Sequence, residues 1–115
     1  MNRRRLALAH GGFNVVTGGW ALVHLRSFEA FTGPKTDHWL VRTVAALVVA
    51  NGIVQLAATG SPDAVAQARR VGLGTAAALA GIDAAYLPRG TLGPAYLLDA
   101  AAEVGWLLAW LRASR

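Results

Sequence analysis

Long apolar runs separated by short charged stretches make up this chain. No Asp, Glu, Lys or Arg lies between Arg5 and Arg26, and none from Thr43 to Pro62. Val71–Pro88 is interrupted only by Asp83, and Gly90–Leu111 only by Asp99 and Glu103. A helix that crosses about 30 Å of hydrocarbon at about 1.5 Å per residue needs roughly 20 mainly apolar residues. The pattern therefore predicts an all-α integral membrane bundle of four transmembrane helices, at about 6–25, 41–60, 67–88 and 92–112, in a single domain over 1–115. The competing soluble four-helix bundle needs a charged face on every helix, and these runs have almost none. MNRRR before an apolar run resembles a signal peptide, but no Ala-x-Ala type cleavage site follows, so the run is read as an uncleaved first helix.

Turn chemistry agrees with these boundaries. Thr32-Gly33-Pro34-Lys35, Gly60-Ser61-Pro62-Asp63, and Pro88-Arg89-Gly90 with Gly93-Pro94 punctuate the connections, and Ser61 or Asp63 is placed to cap the third long helix. The connection over 26–40 is too long for a tight turn. Its Phe28, Phe31 and Trp39 predict a short amphipathic piece at the outer interface. Small residues crowd the third span, and the pairs Gly74/Ala78 and Ala77/Gly81 have the spacing that lets membrane helices approach closely. GLGTAA also matches a relaxed nucleotide-binding fingerprint, but that motif needs a preceding strand, and QARRV precedes it here.

Composition strengthens the membrane reading. The chain is 55% apolar and only 15% charged, against about 25% charged in ordinary soluble domains. Its net charge of +5 sits at span ends, not in a stripe, so no nucleic-acid partner is expected. Arg3, Arg4, Arg5, Arg69, Arg70, Arg112 and Arg115 fall on one side, and Arg26, Lys35, Arg42 and Arg89 on the other. The positive-inside rule then makes both termini cytoplasmic, and the cytoplasmic membrane of a bacterium is the expected location. With no cysteine there is no disulfide, thiolate metal site or Cys nucleophile.

The chemistry lies in the polar residues within the apolar runs. Counting about 1.5 Å per residue from the outer ends puts Asn14, Asn51 and Glu103 roughly 14–16 Å deep, with Asp83 and Asp99 roughly 8–9 Å deep. Tyr86, Tyr96, His24, Arg26 and Arg42 lie higher, whereas the inner half is apolar except for Gln55, Thr75 and His10. The distribution describes a polar funnel that opens outward and closes near the midplane. Tyr96, Asp99, Glu103, Trp106 and Trp110 share one helical face. Carboxylates one turn apart repel when both are ionised, so the pair is expected to hold a proton or a cation, with the aromatic rings suited to an organic cation.

Other sites are weaker. His10 and His24 on one helix suggest haem, but a bis-histidine haem needs a second histidine from another helix at the same depth, and the remaining His38 lies in the outer connection. His24, Glu29, Asp37 and His38 are acceptable metal ligands without tight spacing. No cofactor or metal is expected.

Three functions are compatible with these residues. One is a proton-linked transporter or binding protein for a hydrophobic or cationic small molecule, with Glu103, Asp99, Asp83, Asn51, Asn14, Tyr96, Tyr86, Trp106, Arg42 and His24 as its candidate site. A chain this short needs a homodimer or higher homo-oligomer to make a full pathway. In size and span number it resembles the small multidrug-resistance transporters, which use an intramembrane Glu with aromatic neighbours; their acid is on the first span, which here has none. The second is a membrane enzyme acting on a lipid or isoprenoid, with Asp83, Asp99 and Glu103 as acid and base. The third is a structural subunit whose buried acids fix helix partners.

Overall fold

A computed structural model describes residues 2–90 and 92–113, and these are all-α. Arg115 of the C-terminal basic group lies outside the described residues. Among the described residues there are five helices: α1 (Arg3–Val23), α2 (Leu25–Thr32), α3 (His38–Ala57), α4 (Pro62–Tyr86) and α5 (Tyr96–Arg112). Two of them, α1 and α3, are long and apolar enough to cross a membrane.

Local signals set the helix starts. The Asn2 side chain accepts the Arg5 amide at 2.8 Å, and Ser61 accepts the Ala64 amide at 3.1 Å. Both satisfy amides that a first helical turn leaves unpaired. Pro62 follows directly, where its missing N–H costs nothing. The third long helix therefore begins five residues before the expected Gln67, at the cap itself. The amphipathic piece expected in the 26–40 connection is α2, which folds back onto the end of α1. Trp20 packs edge-on against Phe28 at 5.4 Å and lies 5.6 Å from Phe31, and its indole N–H donates to Ser27 Oγ at 2.7 Å. Glu29 pairs with His38 at 2.8 Å, tying α2 to the start of α3.

The closest helix pair is α1 against α3, running antiparallel. Gly11 faces Gly52, and Gly18 faces Ala45. A Cβ added at Gly52 would sit 2.7 Å from the Gly11 carbonyl oxygen, and one at Gly18 would sit 2.7 Å from that of Ala45. Glycine lets these backbones touch. The small-residue pairs expected to pack in α4 do not. Gly74, Ala77, Ala78 and Gly81 are exposed, because α4 turns the face bearing Ala68, Gly72, Ala76 and Asp83 inward. GLGTAA lies wholly within α4, with no strand before it, which removes the nucleotide-fingerprint reading.

The starts of α1 and α4 meet at one end of the molecule, where Asn2, Arg3, Arg4 and residues 59–62 border one cavity. At the other end, the Thr32 carbonyl lies against Gly93, where a Cβ would come within 2.9 Å of its oxygen. The second connection thus lies at one end, and the first and third meet at the other.

Candidate functional site

Two groups of buried polar side chains occupy the interior. The lower one centres on His10, which is wholly buried on α1. Its Nδ1 accepts two hydrogen bonds, from the Trp110 indole at 2.9 Å and from the Gln55 amide at 3.0 Å. Gln55 Oε1 in turn accepts from Asn14 Nδ2 at 2.8 Å. Trp106 stacks on the imidazole with centroids 4.5 Å apart and planes inclined by 14°, and Phe13 packs beside both rings, 5.4 Å from Trp106 and 6.5 Å from His10. Gly72 leaves room for this arrangement, since a Cβ there would lie 2.5 Å from Trp110 Nε1 and 2.8 Å from Gln55 Nε2.

Above it lies a cavity of about 810 Å³ bordered by residues of all five helices. Its walls are largely apolar, with Val44 and Val48 of α3 and Leu79 and Ile82 of α4. Its polar lining includes Asn14 of α1 and Tyr96, Asp99 and Glu103 of α5. Glu103 is 1% exposed and Asn14 also 1%. Both carboxyl oxygens of Glu103 and the Oδ1 of Asn14 have no hydrogen-bond partner. Asn14 and Glu103 stand at one level: Asn14 is one turn along α1 from His10, and Glu103 one turn back along α5 from Trp106, the ring stacked on His10. Asp83 of α4 is buried, and Asp83 and Asp99 are both close enough to act on Glu103 electrostatically.

At the cavity border Lys35 donates to the Gly33 carbonyl at 3.0 Å. Its ammonium also stands 5.0 Å from the Tyr96 ring and 6.0 Å from that of Phe28.

The structure divides the expected site residues. Asn14, Tyr96, Asp99 and Glu103 converge on the cavity, with Asp83 beside the acids. Asn51 does not: its amide donates to Thr75 at 2.9 Å, joining α3 to α4. Trp106 belongs to the His10 cluster. His24 is exposed and caps α2, bonded to Ser27 at 2.7 Å. Arg42 is exposed, and Tyr86 lies under Arg89 at 5.4 Å, both apart from the cavity lining. The expectation of free aromatic rings for a cation also changes, because Tyr96 already faces Lys35 and Trp106 is covered by His10 and Phe13.

Within the inner half, expected to be apolar except for Gln55, Thr75 and His10, the structure joins His10 and Gln55 to Trp110 in the best-connected polar cluster. A sequence signal existed: His10 and Asn14 are one turn apart, as are Trp106 and Trp110. Nothing in the sequence pairs those two faces across the bundle.

The chain matches no family model, no curated protein and no solved structure.

Proposed function

We propose that this chain is a four-span membrane protein with cytoplasmic termini that binds hydrophobic cations in the Glu103 cavity and, as a homo-oligomer, transports them. Support for the four spans comes from the surface. Large apolar side chains are exposed along α1 (Val16, Val23), α3 (Leu47, Ile53) and α5 (Leu97, Leu98, Leu111). A surface of this kind suits lipid and would drive association in water. The long axis of 42 Å also matches a bilayer of about 40–45 Å including headgroups.

The observation that carries the functional reading is Glu103, a buried carboxyl with neither oxygen bonded, in a largely apolar cavity. Acids inside a membrane are costly and mark ligand or ion pathways. With Asp83 and Asp99 beside it and Asn14 at the same level, the polar part of the cavity offers acceptors to a positive centre, while Val44, Val48, Leu79 and Ile82 take an apolar body. Because a proton and a cation compete for the same carboxylate, binding is linked to proton release.

The test is the melting temperature of detergent-purified protein titrated with hydrophobic amines and lipids, wild type beside Glu103→Gln. A ligand of the native state raises the melting temperature by mass action. A rise with amines in the wild type that disappears in Glu103→Gln is expected. An equal rise in both proteins, or none with any amine, rejects the reading.

A further inference from the structure

We infer that the His10 cluster fixes the orientation of Asn14 so that its carbonyl oxygen faces the Glu103 cavity, making the site selective for cations that carry an N–H over fully alkylated ones. This rests on the proposed cation-binding role and narrows the substrate class to protonated amines.

The polarity of the chain of hydrogen bonds follows from one group that has no alternative. An indole nitrogen only donates. Trp110 Nε1 lies 2.9 Å from His10 Nδ1, so Nδ1 is an acceptor and the imidazole proton sits on Nε2. Gln55, which reaches the same Nδ1 at 3.0 Å, must offer its NH₂ and not its oxygen. Its Oε1 then points to Asn14, which must answer with Nδ2, at 2.8 Å. An amide that could have turned either way is thereby held one way. The atom left to Asn14 is Oδ1, which is buried and unpartnered on a residue that borders the cavity.

Glu103 contributes two more acceptor oxygens at the same level, also unpartnered. An ionised carboxylate accepts only. The floor therefore presents a carboxylate for charge and a fixed carbonyl for direction. A primary, secondary or tertiary ammonium satisfies it by giving an N–H to Asn14 Oδ1 while its charge lies against Glu103. A quaternary ammonium has the charge but no hydrogen to give, and leaves the acceptors unpaired at the cost of a buried polar group. Trp110 and Gln55 do not border the cavity and act through Asn14, so they are positioning residues.

The experiment compares two probes with one skeleton: 4-phenylbutyldimethylamine, protonated at neutral pH, and its N-methylated quaternary analogue. Dissociation constants are measured by titration calorimetry on full-length protein in nanodiscs. Wild type should bind the amine about tenfold or more tightly, the worth of one hydrogen bond to a charged group. Asn14→Leu should reduce that ratio most of the way to one, by weakening the amine and not the quaternary probe. Trp110→Phe, which frees His10 Nδ1 to carry the proton and Gln55 to turn over, should also lower the ratio although residue 110 touches no ligand. If Trp110→Phe does not fold, Gln55→Leu, which removes the link to Asn14, is read in its place with the same expectation. Equal affinity for the two probes in wild type overturns the inference and leaves the cation site standing. So does an Asn14→Leu variant that weakens both probes by one factor. Failure of wild type to bind either probe removes the cation site and the inference together.

Discussion

The cavity and the His10 cluster are neighbours built from the same helices, and they treat polar groups in opposite ways. In the cluster, the polar side chains bond to one another: one indole N–H and one amide N–H meet at Nδ1, and the second amide completes the chain, with His10 Nε2 left unpartnered. Rings fill the remaining space. In the cavity, oxygens predominate on the floor and none of the three buried ones is bonded. A membrane interior supplies no water to satisfy stray polar groups. Groups bonded to one another hold helices together, whereas unbonded acceptors gathered at one cavity mark a place for something else to bind. The two regions meet at Asn14, which spends its nitrogen on the cluster and keeps its oxygen for the cavity.

Substitutions sharpen the contrast. The largest loss is expected from Gly72→Leu, because the new side chain meets Trp110 Nε1 and Gln55 Nε2 directly. Overpacking together with broken buried hydrogen bonds should cost about 4 kcal/mol, read as a large drop in the unfolding midpoint in detergent. Gly74→Leu, whose site is open, is the control and should unfold like wild type. His10→Leu comes next. It leaves the Trp110 and Gln55 donors buried without an acceptor and should cost about 3 kcal/mol, measured by the same unfolding. The smallest effect, of opposite sign, is expected at Glu103→Gln. Gln supplies donors to an acceptor-rich floor and should hold stability level or raise it by up to about 1 kcal/mol. A loss at Glu103→Gln as large as that at His10→Leu would place Glu103 among the structural groups and dissolve the distinction.

Much of the helix plan was legible in the sequence. Charge-free runs located the long helices, Ser61 and Pro62 marked a start through their capping chemistry, and the aromatic residues of the 26–40 connection announced α2. The face bearing Tyr96, Asp99 and Glu103 followed from helical spacing and does line the cavity. What spacing cannot give is the rotation of one helix against another. Trp106 and Trp110 continue the acidic face in sequence, yet in the fold they leave the cavity and close over His10. Asn51, at the same expected depth as Asn14, faces Thr75 instead. Gly11, Gly18 and Gly52, scattered along two helices, make the close approach that the denser small residues of α4 do not. A stripe of small residues reports where a backbone is open to contact, and the contact itself depends on which face meets a neighbour.

The central claim, that Glu103 is the cation-binding group of the cavity, is tested most directly by chemical protection. A hydrophobic carbodiimide couples to carboxyls in apolar surroundings, and mass spectrometry of the α5 peptide reports where it reacts. The expected result is modification at Glu103 that falls as a hydrophobic amine is added, stays unchanged with its uncharged carbon analogue, and is absent from Glu103→Gln. Modification of Glu103 at the same rate with and without saturating amine would contradict the claim.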